Sequence, residues 1–179
     1  MVSLKLAFFL AMGCGAATAA EPSALDYPVK AAFLYNLVRF VQWPATPGPP
    51  IVLGVLDRGP FDATLRQLVE GKSLDGRPLS VRRITKIEDA KSCQLIFIDE
   101  SESERLGELL AALKGTTVLT VSTIDRFAGR GGMISLLGES AKLRFEANID
   151  KLSAAGIKVS ARFLQLAVII RNRDREGQD

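Results

Sequence analysis

Three polar clusters stand at the ends of short apolar runs. Asp57-Arg58-Gly59 follows "IVLGVL", Asp99-Glu100-Ser101 follows "QLIFI", and Ser122-Thr123 closes "TVLTVS". If the runs are parallel strands, the clusters fall where open α/β sheets bind ligands, outside the carboxyl ends of the strands. Arg58 beside a helix start could hold a carboxylate or phosphate, which makes Asp57, Arg58, Gly59, Asp99 and Ser122 the candidate ligand-binding residues. The plainer reading makes Asp57 and Asp99 turn or cap residues and leaves Arg58 in solvent.

Catalysis has little to work with. The chain contains no histidine, which removes Ser-His-Asp and Cys-His nucleophilic catalysis and histidine-based metal sites. Neither a GxxxxGK[ST] phosphate loop nor a GxGxxG fingerprint occurs, and "GRGGM" (Gly129 to Met133) reads as a turn before a strand. A hydrolase or transferase would have to use Asp57, Asp99, Glu100 and Lys142, and no spacing places an acid and a base together on one element. A receiver-domain reading, with Asp57 or Asp99 as phosphoacceptor, lacks the paired acids after the first strand. No catalytic residue, metal site or cofactor is expected, and the chain is read as a non-enzyme.

The clusters need a scaffold, and the pattern around them supplies one. "IVLGVL" (Ile51 to Leu56) reads as a strand rich in β-branched residues. "DRGP" is a turn, and "FDATLRQLVEG" is a helix with Phe61, Leu65, Leu68 and Val69 on one face and Gly71 as its stop. The rhythm repeats as strand Leu79 to Ile84, the short polar helix "KIEDAK", strand Gln94 to Asp99, helix Glu102 to Gly115 and strand Thr117 to Ser122. Such alternation predicts an α/β fold, a mostly parallel sheet with helices on its faces in flavodoxin-like or Rossmann-like layering. "MISLLGESAKLRFEAN" reads as an antiparallel β-hairpin appended to that sheet. "KVSARFLQLAVIIR" (Lys158 to Arg171) reads as an apolar C-terminal helix.

An apolar N-terminal helix is predicted from Lys30 to Trp43. Its polar side chains, Lys30, Asn36, Arg39 and Gln42, leave a narrow wet stripe, and Pro44 ends it. A membrane-surface helix would carry more Lys and Arg on its polar face than Lys30 and Arg39, so this helix is expected in a core. Apolar surface left over on the two terminal helices, with Leu34, Val38 and Val41 on one and Phe163, Leu166 and Ile170 on the other, would serve a homodimer or a partner protein.

The first twenty residues read as a cleaved signal peptide. A single cation, Lys5, precedes an apolar run, "LAFFLAMGCG", and small residues stand at Ala17 and Ala19 or at Thr18 and Ala20. The run is shorter than the roughly 20 residues that span a bilayer. Lipidation at Cys14 is the weaker alternative, because Ala11 stands where that pattern wants Leu. Export would deliver a protein of the periplasm with one free thiol, Cys93, and no internal disulfide. The net charge of +3 is spread among acids rather than clustered, so nucleic acid is not an expected partner. The mature chain is long enough for one domain, 28–171, followed by a solvated charged tail, 172–179.

Four segments in order carry a resemblance: "YPVKAAFLYNLVRFVQWP", "CQLIFIDESE", "VLTVSTIDRFAGRGGMI" and "LRFEANIDKLSAAGIKVSARFLQLA". Together, over roughly Pro28 to Ala167, they resemble the YfiR-like family of exported proteins. The resemblance implies a periplasmic regulator that represses an inner-membrane diguanylate cyclase by engaging its periplasmic sensory domain, and that is itself sequestered by an outer-membrane-linked lipoprotein. Cyclic di-GMP output and biofilm formation would follow. The family's regulator is stabilised by intramolecular disulfides, and this chain departs from it in keeping only Cys93. The alternative function is a periplasmic module that binds a small anionic ligand and feeds a membrane sensor.

Overall fold

The structure, a computed structural model, describes residues 27–44, 50–138 and 143–171. The expected signal peptide, Cys14, Lys142 and the charged tail lie outside the described residues. Helix α1 (Tyr27–Val38) opens the chain and is followed by the two-residue strand β1 (Val41–Gln42). The alternating part then runs β2 (Ile51–Leu56), α2 (Phe61–Val69), β3 (Ser73–Leu74), β4 (Arg77–Arg83), α3 (Ile87–Ala90), β5 (Leu95–Ile98), a 3₁₀ turn (Glu100–Arg105), α4 (Leu106–Ala112) and β6 (Leu119–Ser122). It ends with β7 (Ile134–Leu137), β8 (Arg144–Asn148), α5 (Ile149–Ala154), β9 (Lys158–Val159), α6 (Ala161–Leu164) and β10 (Val168–Ile170).

Eight strands form one sheet in the order β10-β8-β7-β6-β5-β2-β4-β3, and β1 pairs with β9 in a separate two-stranded ribbon. Within the large sheet only β7/β8 and β3/β4 are antiparallel. The run β4-β2-β5-β6-β7 has the doubly wound order in which the second strand lies outside the first and the third crosses to its other side. β7 and β8 are the expected hairpin, with Ile134 opposite Ala147.

Strand alternation sorts the core into two faces. Leu53 and Val55 of β2, Phe97 of β5, Val121 of β6 and Phe145 of β8 face α1 and α2, while Val52, Leu56, Ile96 and Ile98 face α3 and α4. Each fully buried large side chain, such as Phe61 or Phe97, contributes about 2–3 kcal/mol. Gly54 packs tightly on the α3 side: a Cβ there would sit 3.0 Å from the Cys93 Sγ and 3.1 Å from the Ile84 Cγ1, so both side chains would have to give way slightly. Gly132 is required, since its Cβ would lie 2.1 Å from the Phe127 ring.

The terminal segments differ from their sequence reading. α1 ends at Val38 rather than Trp43, its last turn tightened by bonds from Arg39 N to Asn36 O (3.1 Å) and Phe40 N to Leu37 O (2.9 Å). Val41 is then extended and pairs with Val159. Lys30, expected on the wet stripe, is 4% exposed. Lys158 to Arg171 is not one helix: β9, α6 and β10 divide it, and β10 joins the sheet edge parallel to β8. The helix expected from Glu102 begins as the 3₁₀ turn, capped by the Asp99 carboxylate, which accepts from Ser101 N at 3.1 Å. An additional hairpin, β3/β4, turns at Asp75 (φ 50°) and Gly76 (φ 75°), the left-handed pair that a two-residue hairpin needs.

Among the described residues, no helix is long and apolar enough to cross a membrane.

Candidate functional site

The sheet reverses its winding at β2, so the crevice of the doubly wound order opens beyond Leu56 and Ile98. Asp57, Arg58 and Gly59 lie on one side of it and Asp99 on the other, as the strand reading places them. α1 fills the gap between. Lys30 Nζ stands 3.8 Å from Asp99 Oδ1, 5.3 Å from the centre of the Tyr27 ring and 5.8 Å from that of Phe97. A Cβ on Gly59 would come within 2.6 Å of the Tyr27 hydroxyl, so glycine is what lets the ring close over the loop. Burial, and then the charges of Asp57 and Asp99, push the Tyr27 phenol above its usual range.

Most polar groups here are engaged by the fold. Asp57 accepts from Gly59 N (2.8 Å) and Phe61 N (3.1 Å), which starts α2. Arg58 Nε donates to Glu102 Oε1 at 3.3 Å, with Arg105 on the other oxygen of that carboxylate. Ser122 Oγ donates to Ile98 O (2.6 Å) and accepts from Ile124 N (3.0 Å), wholly inside the protein. Arg58 thus has Glu102 as counter-ion, while its side chain stays 73% exposed.

Arg83, which the sequence reading did not single out, staples this edge. Its guanidinium donates to Asp57 O (3.2 Å), Gly59 O (2.6 Å) and the Asp62 carboxylate. That bond, joined by the charges of Arg83 and Arg66 and opposed by burial, holds the Asp62 carboxyl below the usual range. No spacing rule links residues 21 apart, and only the β2/β4 pairing brings them together. Among the described residues, no group of three or more His, Cys, Asp and Glu is placed to hold a metal ion.

A second candidate surface lies on the opposite flank. Leu34 and Val38 are completely buried and Val41 is 7% exposed, so these three belong to the core, while Phe163, also 7% exposed, shows itself only in the floor of a cleft. Phe163 packs on Phe145 (4.8 Å between ring centres), Phe40 (5.2 Å) and Phe33 (5.8 Å). This aromatic cluster floors an open cleft of about 700 Å³, walled by Pro28, Val29 and Ala32 of α1 and rimmed by Leu166. Leu166 is 74% exposed, and Val168, Ile169 and Phe40 are exposed with it, while Ile170 is half-buried. Among the described residues β10 has β8 as its only neighbour, which makes it the edge strand of the sheet.

Two solved structures share the fold. One, a conserved domain protein from Vibrio cholerae, has a TM-score of 0.56 and 12% identity over 82% of this chain. The other, from Streptococcus pneumonia, is described as an ABC domain in complex with L-Trp, with a TM-score of 0.52 and 10% identity over 80% of this chain. In each case the match spans 60% of the solved chain. The family described as YfiR/HmsC-like matches residues 27–168, from the first turn of α1 to the edge strand β10. That match takes in the crevice edge and the cleft with Leu166, stopping short of Ile169 and Ile170, and the chain belongs to the YfiR/HmsC-like family of regulatory proteins.

Proposed function

We propose that this chain is an exported periplasmic regulator that binds a membrane signalling protein, a diguanylate cyclase, and represses it, lowering cyclic di-GMP output. Residues 1–20 are its cleaved signal peptide, and the domain spans 28–171. The observation that carries the reading is the apolar flank: Leu166 and Phe40 are exposed, and Ile169, in register with Ala147, is exposed on the same sheet face as Phe145, whose ring helps floor the cleft. A contiguous apolar patch with a pocket for an anchor side chain is what protein partners recognise.

The contact would use Leu166 of the residues singled out from sequence, with the cleft beside it and the periplasmic domain of the cyclase as partner; Ile170, in register with Asn148, lies on the other face of the sheet. An outer-membrane lipoprotein that covers the same flank would relieve repression, and a second copy of the chain could occupy it in a resting homodimer. Repression follows if the regulator binds the inactive conformation of the cyclase more tightly than the active one; equal affinity would change nothing.

The test is a deletion strain complemented with variants. Loss of the chain raises cyclic di-GMP, wild type restores the low level, and Leu166→Asp fails to do so while remaining folded. Unchanged cyclic di-GMP in the deletion strain defeats the repressor reading.

A further inference from the structure

The sheet is split at one place. β6 and β7 are in register only at Val121/Ile134 and Ser122/Ser135. On the amino side of that register the Thr120 hydroxyl replaces the ladder, accepting from Met133 N at 3.1 Å. A cleft of about 350 Å³ opens there, between the end of α4 on one face and α5 on the other, away from both surfaces described above.

The lining of the cleft is one-sided in charge. Lys114, Arg130 and Lys151 contribute to it and no carboxylate does. None of the three makes an ion pair among the described residues. Cations often gather at helix C-termini to meet open carbonyls, but here the helix ends are already closed. At the end of α4, Leu113 O accepts from both the backbone N (3.1 Å) and the hydroxyl (2.7 Å) of Thr116. At the end of α5, Ala155, Ile157 and Gly156 donate to the carbonyls of Lys151, Leu152 and Ser153. The three cations are therefore left with solvent and one another.

The rest of the lining is apolar, chiefly Leu110, Leu113, Val118 and Met133. Thr120, 3% exposed, keeps a hydroxyl proton that no acceptor takes among the described residues. Gly131 at the rim takes φ 107°, a left-handed conformation that favours glycine. The volume is at the small end of ligand pockets, about 300–1,000 Å³.

We propose that this cleft binds a small organic oxyanion, a phosphate or dicarboxylate on a compact apolar body. Its charged group is met by Lys114, Arg130 and Lys151, and its body lies on Leu110, Leu113 and Met133. The site does not depend on the repressor reading, because it shares no residue with the apolar flank.

The probe is phenyl phosphate, titrated into the full chain and followed by backbone amide shifts, with inorganic phosphate and phenol as comparisons. The expected result is saturable shifts at Gly115, Thr116 and Gly131, weakened at least tenfold in Arg130→Gln/Lys151→Gln and progressively by added salt. Phenol binds at least tenfold more weakly. Circular dichroism and the urea midpoint establish that the double variant is folded, and the exposed Lys114→Gln provides an independent reduction in affinity. Absence of shifts at millimolar phenyl phosphate overturns the proposal, as do shifts confined to the cleft under Leu166 or equal affinity in the folded variants. Inorganic phosphate binding as tightly as phenyl phosphate overturns the organic body.

Discussion

Lys30 of α1 and Asp99 at the end of β5 face each other at 3.8 Å, the lysine almost wholly buried and the carboxylate half-buried. The pair ties the first helix to the crevice edge, and the Tyr27 and Phe97 rings flank the ammonium.

The two halves of this pair differ in what their loss leaves behind. Asp99→Ala strands a buried ammonium and removes the cap on Ser101, so it is expected to cost about 3 kcal/mol, whereas the shape-conserving Lys30→Met costs under about 1 kcal/mol. Urea unfolding of both variants measures the asymmetry. Equal losses would mean that the pair acts only through packing.

The Asp62 carboxyl provides the pH dependence. Its folded-state pKa is depressed, chiefly by the hydrogen bond from Arg83. The unfolded chain therefore takes up its proton first as pH falls, and the stabilisation is full above the ordinary carboxylate range, about pH 4, and is lost below it. Urea midpoints at pH 7, 5, 4 and 3 should show Asp62→Asn well below wild type at neutral pH and converging with it in acid. A gap that does not narrow at all between pH 5 and pH 3 would assign the effect to something other than ionisation.

Cys93 is buried against Gly54, and burial, only partly offset by the charge of Arg82 and a hydrogen bond from Ser92, pushes its thiol up. It should react with a disulfide reagent at pH 8 only as fast as the protein opens, and far faster in urea. Non-reducing gels after mild oxidation should show monomer. A quantitative dimer at native pH would make this thiol an intermolecular switch.

The alternation of strands and helices from Ile51 to Ser122 was legible because the fully buried strands β2, β5 and β6 read as short apolar runs and the helix after β2 carries its apolar residues on one face. Asp57 and Asp99 announced their crevice edge by position, but their engagement with Gly59, Phe61 and Ser101 is local geometry that residue type alone leaves open between cap and ligand. The C-terminal segment misled for a definite reason. Val159, Phe163, Leu166 and Ile170 recur at helical spacing, yet Val168-Ile169-Ile170 takes its backbone partners from β8, and that pairing outweighs the local period. Likewise, the extension of Val41 depends on Val159, 118 positions away. The turn Asp75-Gly76 carried a hairpin signal in plain view, but its arms, β3 and β4, pair over two residues only.

The last prediction separates core from contact on one flank. Leu37 is fully buried in α1, so Leu37→Asp places an unpaired charge in the core and should unfold the domain. Leu166 is 74% exposed, so Leu166→Asp should shift the unfolding midpoint by no more than about 0.5 kcal/mol in stability. If the flank is the contact, the same change should weaken binding of the cyclase's periplasmic domain at least tenfold, since the aspartate must be desolvated against an apolar anchor. Folded Leu37→Asp protein that had lost binding to lipid vesicles would instead make α1 a membrane helix. Undiminished binding by Leu166→Asp would move the contact off the cleft, to a surface that the exposed apolar residues do not mark.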